Sequence, residues 1–279
     1  MLSNRRTRCL LLACCAFLTL LLMGVSVASG THVRVASFSA THASTAFVVD
    51  GASLTDKQGS WHVAAPESPS DPVIEAYNGD MDDELTMPLA VALHGVNLSG
   101  LQRGDKVLVL GAGPIGLAVA FWARRQGAAR VVVQDVADYQ RERALSMGAT
   151  GFVVDPENPV AASDRTLGGK ADIVFECVGI PGLIAQAVEQ VRVKGSILLL
   201  GLCTQPDTFN SFAMLSKEIR LITSAFFKRQ EYEAALDALD AGAAEPRLLV
   251  TDTIRLDEVP TVFETLKRRT HQCKVLIAP

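Results

Sequence analysis

The apolar run Val107-Leu108-Val109-Leu110 passes directly into the loop Gly111-Ala112-Gly113-Pro114-Ile115-Gly116, and the apolar stretch Ile115 to Arg125 follows at once. Few folds accommodate that order. The first run reads as a buried strand and the last as a helix, so the glycines fall where a strand must turn sharply into a helix. Gly111 permits the tight turn. Gly113 leaves no Cβ between the backbone N–H groups and an approaching anion, and Gly116 lets the new helix lie close to the strand. Pro114 and Ile115 complete the loop, with proline where a helix tolerates it. The unpaired N–H groups and the helix dipole at such a start stabilise a phosphate.

The same alternation continues downstream. Arg130 to Gln134 reads as a strand, Tyr139 to Met147 as a helix, and Gly151–Val154, Asp172–Phe175 and Ser196–Leu200 as further strands. A helix over Pro181–Val191 separates the last two, with proline at its start and Gly195 beyond its end. Upstream, Leu85, Leu89, Ala92, Leu93 and Val96 recur at helical spacing, which predicts a helix from Asp82 to Gly95 with Pro88 near its first turn. Strands and helices in alternation imply βαβ units. The fold class is therefore α/β, a doubly wound parallel sheet of the Rossmann kind, preceded by a truncated or irregular N-terminal segment. Right-handed crossovers bring the strands' C-terminal ends to one edge, where ligands bind.

Asp135 stands 19 residues after Gly116, at the end of the second strand. A carboxylate there accepts hydrogen bonds from the adenosine ribose hydroxyls and repels a 2′-phosphate, so the expected cofactor is NAD rather than NADP. Arg141 and Arg143 keep the other nucleotide open, because a nearby arginine can hold that phosphate.

Composition excludes several alternatives. A net charge of −4 gives no electrostatic reason for a nucleic-acid partner. Of the 6 cysteines, Cys9, Cys14 and Cys15 lie in the N-terminal apolar run, and Cys177, Cys203 and Cys273 are isolated. With no CxxC pair, no structural zinc lobe is encoded, and the expected metal site is none.

Residues 1–30 read as a signal peptide or membrane anchor. Arg5, Arg6 and Arg8 precede an apolar run from Cys9 to Val25, and small residues follow, so residues 9–28 are a candidate membrane segment. Residues 31–84 read as an irregular linker holding one strand-like run at Ala46–Asp50, and residues 85–279 as the NAD-binding unit with a C-terminal return segment. The leader points to a secreted or membrane-anchored chain and the cofactor to the cytoplasm, so the location stays open. Asn97-Leu98-Ser99 forms a glycosylation sequon, placed in or beside the helix turn before the first cofactor strand.

These residues resemble the cofactor domain of the medium-chain dehydrogenase/reductase family, near its zinc-type alcohol, sorbitol and threonine dehydrogenases. The resemblance covers Asp82 to Pro279. It rests on Pro88–Val96, on Gly104–Gly116, on Phe175-Glu176-Cys177-Val178-Gly179, on Leu200-Gly201-Leu202, and on the terminal runs Leu256–Val259 and Lys274–Leu276. It implies that Cys177, Val178, Gly179, Leu200, Gly201 and Leu202 line the nicotinamide half of the cofactor. It also implies a homodimer through the outer strand, Arg220 to Ala225. The family's N-terminal catalytic domain, with its zinc-binding cysteine and Gly-His-Glu histidine, is largely missing here. Met87 stands where the zinc-dependent members place a glutamate, and His94 reads as structural. The Ala46–Leu54 run faintly resembles the last strands of that catalytic domain.

The implied activity is an NAD-dependent oxidoreductase of the alcohol or polyol type, acting on a small secondary alcohol, with no catalytic residue identified. The alternative is a non-catalytic NAD-binding module or pseudoenzyme. A zinc-independent reductase of the quinone oxidoreductase type ranks lower, since those usually prefer NADP and lack an acidic residue at this position.

Overall fold

A computed structural model of the protein describes residues 81–278 except 267, 269 and 270, together with five short strands nearer the N-terminus. Those five are β1 (Val35–Ala36), β2 (Val48–Val49), β3 (Ser53–Asp56), β4 (Gly59–His62) and β5 (Glu75–Ala76). The leader at residues 9–28 lies outside the described residues. Among the described residues, no helix is long and apolar enough to cross a membrane.

The body of the fold is a six-stranded parallel sheet. Its strands are β6 (Lys106–Leu110), β7 (Arg130–Gln134), β8 (Gly151–Val153), β9 (Ala171–Glu176), β10 (Val191–Leu199) and β11 (Arg220–Thr223), in the order β11-β10-β9-β6-β7-β8. The chain winds outward from β6 to β8, then returns to place β9 on the other side of β6. Both halves of the doubly wound fold expected from the sequence are present.

Alternation along the strands divides the core in two, because successive strand side chains point to opposite faces. Val107, Val109, Val131, Val133, Ile173, Phe175 and Leu198 face α1 (Met81–Ser99), α2 (Pro114–Arg125) and α7 (Arg229–Asp240). Leu108, Leu110, Val132, Val174 and Ile197 face the opposite layer, α4 (Pro159–Leu167) and α5 (Leu183–Gln190). The elements α3 (Arg141–Ser146), α6 (Ser211–Ser216) and α8 (Val259–Leu266) complete the helices. The apolar stripe Leu85, Leu89, Ala92, Leu93 and Val96 on α1 is buried throughout.

Several boundaries differ from the sequence expectation. Helix α1 begins at Met81 and continues to Ser99, so Pro88 sits inside it rather than in its first turn. Proline has no N–H to give the Glu84 carbonyl, and the helix is carried past it by the buried stripe. The helix expected from Tyr139 shrinks to Arg141–Ser146. The one expected from Pro181 begins only at Leu183, because Gly182 takes a left-handed conformation (φ 91°) at its cap. Val191 belongs to β10, which starts five residues before Ser196 and shifts register between the two. The outer strand ends at Thr223 rather than Ala225.

A separate three-stranded sheet joins β12 (Val250–Arg255), β13 (Lys274–Ala278) and β5, all parallel. The last strand thus pairs with Glu75–Ala76, from the segment ahead of the main unit. At the head of β13, Lys274 is 1% exposed, and burial pushes its ammonium down to about 7.

This lysine makes stability depend on pH. The unfolded chain keeps that proton to about pH 10.4, whereas the folded chain releases it near 7. Between those values the unfolded state holds more protons, so stability rises with pH, by at most about 1.4 kcal/mol per pH unit. Chemical denaturation from pH 7 to 9.5 should show this rise in the native chain and a flatter profile in Lys274→Met.

Candidate functional site

The site lies over the C-terminal ends of β6, β7, β9 and β10, where the order of winding reverses between β6 and β9. Gly111 leaves β6 with φ at 98°, a conformation open to glycine, and its N–H donates to the Gln134 carbonyl at 2.8 Å. A Cβ on Gly111 would stand 2.6 Å from Cγ2 of Val178. A Cβ on Gly116 would collide with the Gly111 carbonyl oxygen. Gly113 caps α2 with extended backbone, and Pro114 opens the helix. The first intrahelical bond runs from the Leu117 N–H to the Gly113 carbonyl at 3.0 Å. The amides of Gly113, Ile115 and Gly116 therefore have no intrahelical acceptor. This is a cradle that can receive an anion at its mouth.

Asp135 braces the cradle from the next strand. Its Oδ2 accepts the Ala112 N–H at 2.8 Å, and its Oδ1 accepts those of Val136 at 2.6 Å and Ala137 at 3.3 Å. Sequence reasoning singled out Asp135 for the ribose and missed this hold on the loop. Arg141 turns away to Asp138 (Nε–Oδ1 2.7 Å) and the Phe152 carbonyl (2.9 Å). Arg143 reaches Gln140 and the His271 carbonyl.

On the other side of the reversal, β9 and β10 end in two turns packed face to face. Gly179, at φ 79°, lies so close to Leu202 that a Cβ would stand 2.5 Å from that residue's nitrogen. A Cβ on Gly201 would strike the Gly179 nitrogen and the Glu176 carboxylate. Leu200 is half-buried and packs on the core, while Leu202 is exposed. Cys177 donates its N–H to the Leu110 carbonyl at 3.0 Å, tying the two central strand ends together. Burial, with the Glu176 charge adding to it, pushes the Cys177 thiol well above its usual range, so it stays protonated. The structure therefore brings Gly111–Gly116, Asp135, Cys177–Gly179 and Leu200–Leu202 along one sheet edge.

Glu176 went unremarked in the sequence beyond its place in a matched run. It is 4% exposed, and burial raises its carboxyl despite two N–H bonds that oppose the rise. Its Oε1 accepts from Val178 at 2.7 Å and Gly179 at 2.8 Å.

His94 is structural, as the sequence suggests. Its Nδ1 lies 2.8 Å from Oε2 of Glu231; that oxygen also accepts from the Lys228 N–H at 2.6 Å, and Oε1 of the same carboxylate accepts from Asn97 Nδ2 at 3.2 Å. The sequon lies in the last turn of α1, with the Ser99 hydroxyl buried and bonded to the Val96 carbonyl.

The comparisons agree with this layout. Residues 114–241 match the family described as zinc-binding dehydrogenase. Sorbitol dehydrogenase 1 of Saccharomyces cerevisiae is 30% identical over 207 residues, 71% of this chain and 58% of that protein. The (R,R)-butanediol dehydrogenase of Bacillus subtilis is 30% identical over 199 residues, covering 70% and 57%. The crystal structure of 2R,3R-butanediol dehydrogenase from Bacillus subtilis superposes with a TM-score of 0.64 at 27% identity, over 72% of this chain and 58% of that one. This chain's cofactor-type domain belongs to the medium-chain dehydrogenase/reductase family. The chain spans less than two thirds of the length of these relatives.

Among the described residues, no group of three or more His, Cys, Asp or Glu side chains could hold a metal ion. His94 is committed to Glu231, and the Cys177 and Cys273 thiols are both pushed up by burial.

The close approach at the loop has a measurable consequence. Gly116→Ala drives a methyl into the Gly111 carbonyl and should cost about 1–3 kcal/mol, read as a lower Tm. An unchanged Tm would show that the loop yields freely.

Proposed function

We propose that the chain binds NAD along the β6–β9 edge and belongs to an oxidoreductase of the alcohol or polyol type. The observation that carries this reading is the glycine cradle at Gly111–Gly116 with Asp135 bonded across it. Phosphate charge at the mouth of α2 meets the open amides of Gly113, Ile115 and Gly116 and the positive end of the helix. The ribose of the adenosine half falls beside Asp135, whose negative charge disfavours a 2′-phosphate. Arg141, held by Asp138 and the Phe152 carbonyl, borders that pocket without pointing at it. The remaining half of the dinucleotide extends over Cys177–Gly179 and Leu200–Leu202.

When bound, NAD supplies the hydride acceptor for oxidation of a secondary alcohol. The chain's own residues bind and orient it. The close-packed glycines bring the two turns together, and protonated Cys177 adds no charge beside them. The alcohol and polyol class comes from the relatives named sorbitol and butanediol dehydrogenase.

Binding is tested by fluorescence titration of the full chain with NADH and NADPH. Tighter binding of NADH is expected, and failure of both nucleotides to bind overturns the reading. Asp135→Asn keeps an oxygen for the Ala112 N–H but removes the charge. It should shift the NADH-to-NADPH affinity ratio toward NADPH by roughly tenfold. Oxidation of sorbitol or (R,R)-butanediol by the same protein, followed as NADH formation, tests the substrate class.

A further inference from the structure

We propose that Glu176 is a positioning residue for the nicotinamide end of the cofactor, its buried carboxylate fixing the Val178–Gly179 turn on which that end rests. The inference builds on the NAD-binding reading above and assigns a role to a residue that never enters it.

A carboxylate is costly to bury at this position. Glu176 ends a central strand among apolar neighbours, where a valine or leucine would be cheaper to bury. The turn beyond it explains the exception. Gly179 in its left-handed conformation points the amides of Val178 and Gly179 back toward the strand, and buried amides require an acceptor. Oε1 of Glu176 accepts both, at 2.7 and 2.8 Å. The same residue's main-chain carbonyl accepts the amides of Leu200 and Gly201, at 2.8 and 2.9 Å. A single residue thus holds the turn after β9 by its side chain and the turn after β10 by its backbone.

Two contacts then lock the carboxylate and extend its reach. Gly201 packs against it so closely that a Cβ there would stand 2.5 Å from Oε2. Val178, carried on the held turn, presses its Cγ2 against Gly111 in the phosphate loop. Glu176 therefore fixes both the floor of the far half of the crevice and that floor's distance from the cradle. With adenosine beside β7 and the pyrophosphate over β6, a ligand continuing in the same direction along the edge next meets the ends of β9 and β10.

A positioning role of this kind predicts that the two ends of the cofactor respond differently. ADP-ribose carries the adenosine and pyrophosphate but no nicotinamide, so calorimetric titration of the full chain with ADP-ribose and with NADH separates them. Glu176→Ala should weaken NADH at least about tenfold while ADP-ribose changes less than about twofold. Glu176→Gln, which keeps an acceptor oxygen, should restore NADH binding to within about threefold of the native chain. If the alanine variant does not fold, Glu176→Thr removes the same acceptor from a strand position that tolerates threonine, and the same split is expected. Parallel losses for both ligands, or no loss for either, overturn the proposal. Failure of the native chain to bind ADP-ribose would instead overturn the NAD-binding reading itself.

Discussion

The parallel pairing of β6 with β9 is the constraint on which the rest of the structure depends. Leu110 lies beside Glu176 at the ends of these strands, yet the chain leaves them in opposite directions. One connection runs through α2 toward β7, and the other runs through α5 toward β10. Neither of these two connections covers the gap between them, and an elongated ligand can lie across it. The backbone bond from Cys177 to Leu110 holds the two lips at a fixed separation. The glycine loop, Asp135, Cys177–Gly179 and Leu200–Leu202 all follow within a few residues of a strand end.

Close packing at this gap is achieved by omission of side chains rather than by their fit. Val178 against Gly111, and Gly179 against Gly201 and Leu202, are approaches that a Cβ would forbid. The acidic residues bordering these glycines work as acceptors for backbone amides. Asp135 serves the loop after β6, and Glu176 the turn after β9. The two carboxylates are thus equivalent in architecture although they sit in different solvent environments. Asp135 is partly exposed, and Glu176 is buried enough for its carboxyl to be raised.

Much of this was legible in the sequence, for identifiable reasons. Buried parallel strands are short and apolar on both faces, so Val107–Leu110 and Arg130–Gln134 stood out, and their two-residue alternation survives intact in the two core layers. The stripe on α1 was visible because leucines at helical spacing have little other use. Helix α4 was missed. Its Ser163, Asp164 and Arg165 dilute the apolar pattern, although Pro159 at its start and Gly168 just past its end were both readable signals. The irregular stretch in β10 was invisible, since it depends on Gly195 meeting the Asp172 carbonyl from a neighbouring strand. The hold of Glu176 on its turn was hidden for a related reason: it needs the left-handed Gly179, and a glycine does not announce its own conformation.

The bond from the Ala112 N–H to Asp135 has an evolutionary consequence. The residue that would set which nucleotide is preferred is also a strut of the loop that would grip the phosphates. Any change at 135 that alters the fit of a nucleotide would therefore also alter the loop. A lineage drifting toward a 2′-phosphorylated nucleotide could not discard the acid at 135 for a small apolar residue without first supplying Ala112 with another acceptor. The accessible order of substitutions is fixed in advance by one 2.8 Å contact.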